Sequence, residues 1–111
     1  MKKAMLLAPL MLAGCAPENP AQAQAEAVER GKVCADAEEI ARLIMTQRQD
    51  NIPMNALLKI VMDNEPDPAI RENLREAVIQ AYERPAYLTR EHQQREINDF
   101  GNEWAIKCWR S

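Results

Sequence analysis

The side chains able to act as nucleophiles, bases or metal ligands in this 111-residue chain are few: three cysteines, one histidine and a handful of hydroxyls. Nucleophilic hydrolysis needs a hydroxyl or thiol beside a base. Beyond residue 15 the hydroxyls are Thr46, Thr89 and Ser111, and His92 is the single imidazole. Tyr82 and Tyr87 are uncommon nucleophiles, and His92 lies off the apolar face of its segment, where an exposed polar residue is expected. Asp63, Glu65 and Asp67 alternate as in the opening of a calcium loop, but Pro68 stands where such a loop needs glycine. A solvated, helix-capping turn is the expectation there. Paired carboxylates of the glycosidase kind are available by composition, but so small a bundle is not expected to hold an open cleft. The chain therefore reads as non-enzymatic, with no catalytic residue, no metal and no cofactor.

The most specific motif is at the N-terminus. Lys2 and Lys3 precede an apolar run from Ala4 to Ala13, too short to span a bilayer, and Leu12, Ala13, Gly14 and Cys15 follow one another. This tetrapeptide resembles the lipobox of bacterial lipoproteins. The resemblance implies a signal peptide over residues 1–14, cleavage before Cys15, a diacylglyceryl thioether on its sulfur and acylation of the new amine. Several acyl chains on one residue hold firmly because each buried methylene contributes about 0.8 kcal/mol. The membrane would then be a partner through the lipid at Cys15, and Ala16 behind it resembles lipoproteins passed to the outer membrane. The rival reading is an ordinary secretory signal cut among Ala21, Ala23 and Ala25, which releases a soluble periplasmic protein.

Charge narrows the partners further. The net charge is −3 with 14 basic and 17 acidic side chains, and loss of Lys2 and Lys3 with the signal lowers the basic count to 12. An acidic domain of this kind is a poor match to a nucleic acid. Residues 15–32 then form a lipidated cysteine and a flexible tether. Ala16 to Lys32 is rich in Pro, Ala, Gln and Glu, with almost nothing large to bury, and if extended would reach roughly 50 Å. The competing possibility is that Ala21 to Glu29 lengthens the first helix, which alanine and glutamate also permit.

Residues 33–111 carry the folded domain. Val33, Ala37, Ile40 and Ile44 fall at helical spacing, Asp36 with Glu39 has the spacing of a capping box, and Asn51 is placed for an αL cap before Pro53. The first helix should end near Gln49. Pro53 can open a second helix through Met62, whose Met54, Leu57, Leu58, Ile60 and Val61 surround it so widely that it should be the most buried. Asp67 and Pro68 should start a third helix with Ile70, Leu74, Ala77, Val78 and Ala81 inward, stopped at Pro85. Thr89 should cap a fourth, on which Ile97, Phe100, Gly101, Trp104 and Cys108 share a face. The fold expected is all-α, a small compact domain of about four helices.

Cys34 and Cys108 stand at the two ends of that domain. In an antiparallel four-helix arrangement the start of the first helix and the end of the fourth share one end of the bundle, and an exported chain meets an oxidising compartment. One structural disulfide between them follows, and it leaves no ligand set for zinc. The aromatics Tyr82, Tyr87, Phe100, Trp104 and Trp109 crowd the C-terminal part of the chain. Phe100 and Trp104 lie on the core stripe, whereas Ile106 and Trp109 point away from it. Tyr82, Arg84, Tyr87 and Arg90 surround the bend at Pro85, and Tyr with Arg is the composition of binding hot spots. These six residues are the candidate interaction surface, with tyrosines packed over the core edge as the plainer explanation of that bend.

Cys34, Ile44-Met45, Arg48-Gln49, Pro53, Ala81-Tyr82, Pro85, Tyr87, Thr89, Phe100, Glu103 and Cys108 together resemble a group of small exported proteins of proteobacteria and their phages and prophages. Asn51 stands where that group often places glycine, a mild departure. The resemblance implies export, helices and a disulfide, and nothing about a substrate. The lipobox, the tether and the Tyr82 to Arg90 surface favour a non-enzymatic periplasm-facing envelope lipoprotein that binds an envelope protein partner as an accessory factor. The alternative is a soluble periplasmic stress chaperone or inhibitor-like protein.

Overall fold

The computed structural model describes residues 19–111, so the signal segment, Cys15 and the start of the tether lie outside the described residues. Four helices make up the fold: α1 (Pro20–Gln49), α2 (Met54–Asn64), α3 (Pro68–Tyr82) and α4 (Arg90–Arg110). A disulfide joins Cys34 on α1 to Cys108 on α4, with Cα atoms 5.4 Å apart. The chain divides into two units, residues 1–32 and 33–111.

In the first unit, helix begins at Pro20 rather than at Val33, which corrects the extended tether over residues 20–32. The cause is local. Asn19 accepts the Gln22 backbone N–H on Oδ1 at 2.6 Å, Pro20 supplies a preset φ, and the alanines, glutamines and glutamates that follow are strong helix formers. Because helix already runs through Asp36 and Glu39, no capping box forms there.

In the second unit, residues 33–111, the inward face of α1 is turned from the expected stripe. Cys34, Ala41, Ile44, Met45 and Gln49 are buried, whereas Val33 is 56% and Ile40 41% exposed. The disulfide explains the rotation: Cys34 must face α4, and Ala41 and Met45, seven and eleven positions on, follow it inward. At the end of α1, Asn51 adopts φ 62°, its N–H reaches the Arg48 carbonyl at 3.0 Å, and the Ile52 N–H reaches the Gln47 carbonyl at 3.1 Å. That pair of bonds is a Schellman cap, with asparagine at the αL position.

Helix α2 departs furthest from expectation. It has no buried residue, so it is not the most buried helix. Leu57, Leu58 and Val61 only pack against the edge of the core, and Ile60 stays 56% exposed. An all-round apolar helix reads as central, yet α2 is short and its neighbours cover one side of it. On α3, Asp67 Oδ1 accepts the Ala69 and Ile70 backbone N–H groups at 2.9 and 3.4 Å, and Ala77, Val78 and Ala81 are buried. Ile70, at the far end of its stripe, is 48% exposed. On α4, Thr89 Oγ1 accepts the His92 N–H, and Phe100 and Gly101 are buried.

The core is thus Ala41, Ile44, Met45, Ala77, Val78, Ala81 and Phe100, from α1, α3 and α4. Its alanines let helices approach while Phe100, Met45 and Val78 fill the space between. Gly101 makes the tightest demand. A Cβ there would lie 2.5 Å from Arg42 Cγ, 2.9 Å from Arg42 Cδ and 3.3 Å from Glu38 Cγ. Gly101→Val should therefore destabilise by about 1–3 kcal/mol through overpacking, read as a lower midpoint in thermal or urea unfolding. Replacing both Cys34 and Cys108 by alanine should cost on the order of 4 kcal/mol by the same measurement, from the loop the bridge closes.

Candidate functional site

The bend after α3 is where the polar side chains of the domain converge. Residues 83–89 leave the helix with Pro85 among them, so their carbonyls need partners from elsewhere. Arg48 Nε donates to the Arg84 carbonyl at 2.8 Å, and Gln49 Nε2 donates to the Pro85 carbonyl at 3.0 Å. Gln49 Oε1 accepts the Tyr87 backbone N–H at 2.8 Å, and Gln93 Nε2 donates to the Tyr87 carbonyl at 2.7 Å. Gln49 is only 3% exposed, so its amide is a buried polar group with both ends satisfied. The bend is thereby pinned to the end of α1 and the start of α4.

Arg84 ties the same bend to α4. Its guanidinium bonds Glu96 at 3.1 Å, pairs with Glu103, and lies over the Phe100 ring with 4.9 Å to the centroid. Burial works against its charge, but the bonds to Glu96 and Glu103 outweigh burial and hold the guanidinium above its ordinary pKa. Tyr82 donates its hydroxyl to the Ile52 carbonyl at 2.5 Å, beneath the Arg48 guanidinium, which sits 5.3 Å from the ring centroid. Burial raises the pKa of this phenol, and the neighbouring Arg48 charge lowers it by less.

The six residues nominated from sequence therefore separate. Tyr82 and Arg84 are committed to bonds within the domain, and Tyr87 is half-buried with its ring tilted against His92 at 5.7 Å. Arg90 is exposed at the first turn of α4. Ile106 and Trp109 are 49% and 51% exposed near its other end. Sixteen residues of helix separate Arg90 from Ile106, about 24 Å at 1.5 Å per residue, so the six do not form one surface. Gln49 and Gln93 escaped sequence reasoning as structural hubs, because a glutamine at a helix end carries no local sign of burial.

Between α1 and α4 lies an open groove of about 580 Å³ lined by Glu38, Glu39, Arg42, Leu43, Asp50 and Arg90 among others. Both carboxylates and guanidinium groups line it, with Arg42 and Glu38 3.6 Å apart. Its one hydroxyl, on Thr46, donates to the Arg42 carbonyl of its own helix at 2.7 Å. Such a lining can hold a polar peptide or solvent, and it presents no nucleophile beside a base.

The other residues considered for chemistry serve helix ends. Thr89 Oγ1 lies 2.7 Å from His92 Nδ1 and also accepts the His92 N–H at 3.3 Å, an exposed cap. Asp67 caps α3, Asp63 pairs with Lys59 at 2.9 Å, and the Glu65 carbonyl accepts from Arg71 at 3.1 Å, so the acidic turn is a capping turn. Among the described residues no group of three or more His, Cys, Asp or Glu is arranged around a metal position. Among them too, no helix is long and apolar enough to cross a membrane.

Two outcomes follow for the bend. Gln49→Ala leaves the Pro85 carbonyl and the Tyr87 N–H without their partner and should cost about 1–3 kcal/mol in urea unfolding. Burial raises the Tyr82 pKa in the folded state above its ordinary 10.0, so its contribution is complete below that pH and is lost as pH rises through the raised value. Unfolding midpoints followed above that pH should fall, and Tyr82→Phe should remove part of the fall while costing about 1 kcal/mol at neutral pH.

No family model, no curated protein and no solved structure matches this chain.

Proposed function

We propose that this chain is a non-enzymatic, exported domain that binds apolar protein surface, in the manner of a small periplasmic chaperone or inhibitor. One observation carries the reading. Within residues 33–111 the large apolar side chains Ile44, Met45, Val78 and Phe100 are buried, while Leu43, Ile60, Ile70, Leu88, Ile106 and Trp109 are each 48% or more exposed. Single exposed apolar residues are ordinary on a protein surface. Here they outnumber their buried counterparts, in a domain that the disulfide holds together independently of a large core. A stapled fold can keep such side chains in water without collapsing around them.

The anchored form of the same reading is favoured by the Leu12, Ala13, Gly14 and Cys15 run. In that form the domain is an envelope lipoprotein, held by acyl chains at Cys15, and its client is an envelope protein. Intact mass of the chain purified from cell envelopes separates the two. A lipid-modified chain beginning at Cys15 selects the anchored form, and an unmodified chain beginning beyond Ala21 selects the diffusing one.

Binding itself is tested by light scattering of thermally unfolded citrate synthase. The oxidised protein at equimolar ratio should suppress scattering, and the combined Ile60→Ser and Trp109→Ala substitutions should weaken the suppression while leaving the unfolding midpoint nearly unchanged. Scattering unaffected by the unsubstituted protein would overturn the proposal.

A further inference from the structure

The three helices that build the core are tied to one another by bonds that bypass α2. The disulfide joins α1 to α4, Lys107 Nζ on α4 donates to Gln80 Oε1 on α3 at 2.8 Å, and Arg84 clasps Glu96 and Glu103 just beyond α3. Every residue of the buried cluster comes from α1, α3 or α4. Helix α2 contributes none, and the ion pair it carries, Lys59 with Asp63, is internal to it.

What holds α2 is a pair of side-chain catches at its two ends, both from α3. Tyr82 Oη donates to the Ile52 carbonyl just before the helix at 2.5 Å, and Arg71 Nη1 donates to the Glu65 carbonyl just after it at 3.1 Å. Between the catches only Leu57, Leu58 and Val61 rest on the cluster, each partly exposed. Non-helical residues flank the catches, Asn51 with φ 62° before the first and Pro66 and Asp67 after the second.

We infer that α2 is a flap: it opens as a unit from a three-helix frame of α1, α3 and α4 that stays folded. Few buried contacts and a short span of helix give it the lowest opening free energy in the domain, the property of a separately unfolding segment. Opening releases the inner sides of Leu57, Leu58 and Val61 and uncovers the edge of the cluster beneath them. This follows from the fold alone and stands whether or not the domain binds clients.

Trypsin acting on the oxidised full chain tests it, because Lys59 lies in the middle of α2 and Cys34 and Cys108 lie on opposite sides of it. The expected first cut within residues 33–106 is after Lys59. The nicked chain should keep its two parts together until the disulfide is reduced. Tyr82→Phe and Arg71→Ala should each speed that cut about fivefold, the effect of one lost hydrogen bond. Native-state hydrogen exchange should show the Leu58 to Met62 amides opening with weaker denaturant dependence than those of Met45 and Phe100. Cleavage at Arg42 and Arg95 as fast as at Lys59, or exchange of α2 in step with Met45 and Phe100, would overturn the flap. So would a Lys59 cut indifferent to both substitutions.

Discussion

The covalent link between Cys34 and Cys108 is the constraint on which the rest of the domain depends. It decides which face of α1 turns inward, since Ala41 and Met45 follow Cys34 at helical spacing while Val33 and Ile40 are carried out to solvent. It also brings α1 and α4 together along a line where Gly101 admits the Arg42 and Glu38 side chains. With α1 joined to α4, a cluster of alanines around Phe100, Met45 and Val78 suffices as a core. Below about 80 residues, such a core by itself rarely supplies more than a few kcal/mol.

At the other end of the same helix pair the closure is polar. Arg48 and Gln49 leave α1 and take up the carbonyls of Arg84 and Pro85, and Arg84 in turn reaches the carboxylates of Glu96 and Glu103. Arg48, Gln49, Pro85 and Tyr87 meet at this bend, with Tyr82 beside it at the end of α3. The Arg48 and Gln49 side chains there satisfy backbone groups of Arg84, Pro85 and Tyr87 that no helix satisfies. Residues with the composition of a hot spot can thus be occupied inside the fold. The exposed large apolar side chains lie elsewhere, over α1, α2, α3, Leu88 and the end of α4.

The division of labour between a closed frame and a loosely seated α2 gives the domain two levels of stability. A disulfide, an arginine network and a glutamine clamp stabilise the frame, while two hydrogen bonds and three half-covered side chains hold α2. A domain built this way can vary the amount of apolar surface it shows without losing its fold.

Much of this architecture was legible in the residues. Asp67 before Pro68, Thr89 before an apolar-periodic run, and Asn51 before Pro53 each name a helix boundary through a local bond between a side chain or an αL residue and the nearest backbone, so they could be read without knowing the fold. Cys34 and Cys108 could be paired because an even count of antiparallel helices brings the two ends of the domain over residues 33–111 together. The signal at the Asn19 and Pro20 cap was equally local, but it lay in a stretch whose composition also suits a tether. By itself, then, the sequence determined the helices, their order and the disulfide, because capping, periodicity and chain closure act over a few residues or follow from topology. Which apolar side chains are buried, and which polar ones, only the tertiary structure decided. Burial depends on neighbours distant in sequence, as when the disulfide turns α1, when α2 finds cover on one side alone, and when Gln49 meets the bend at Pro85.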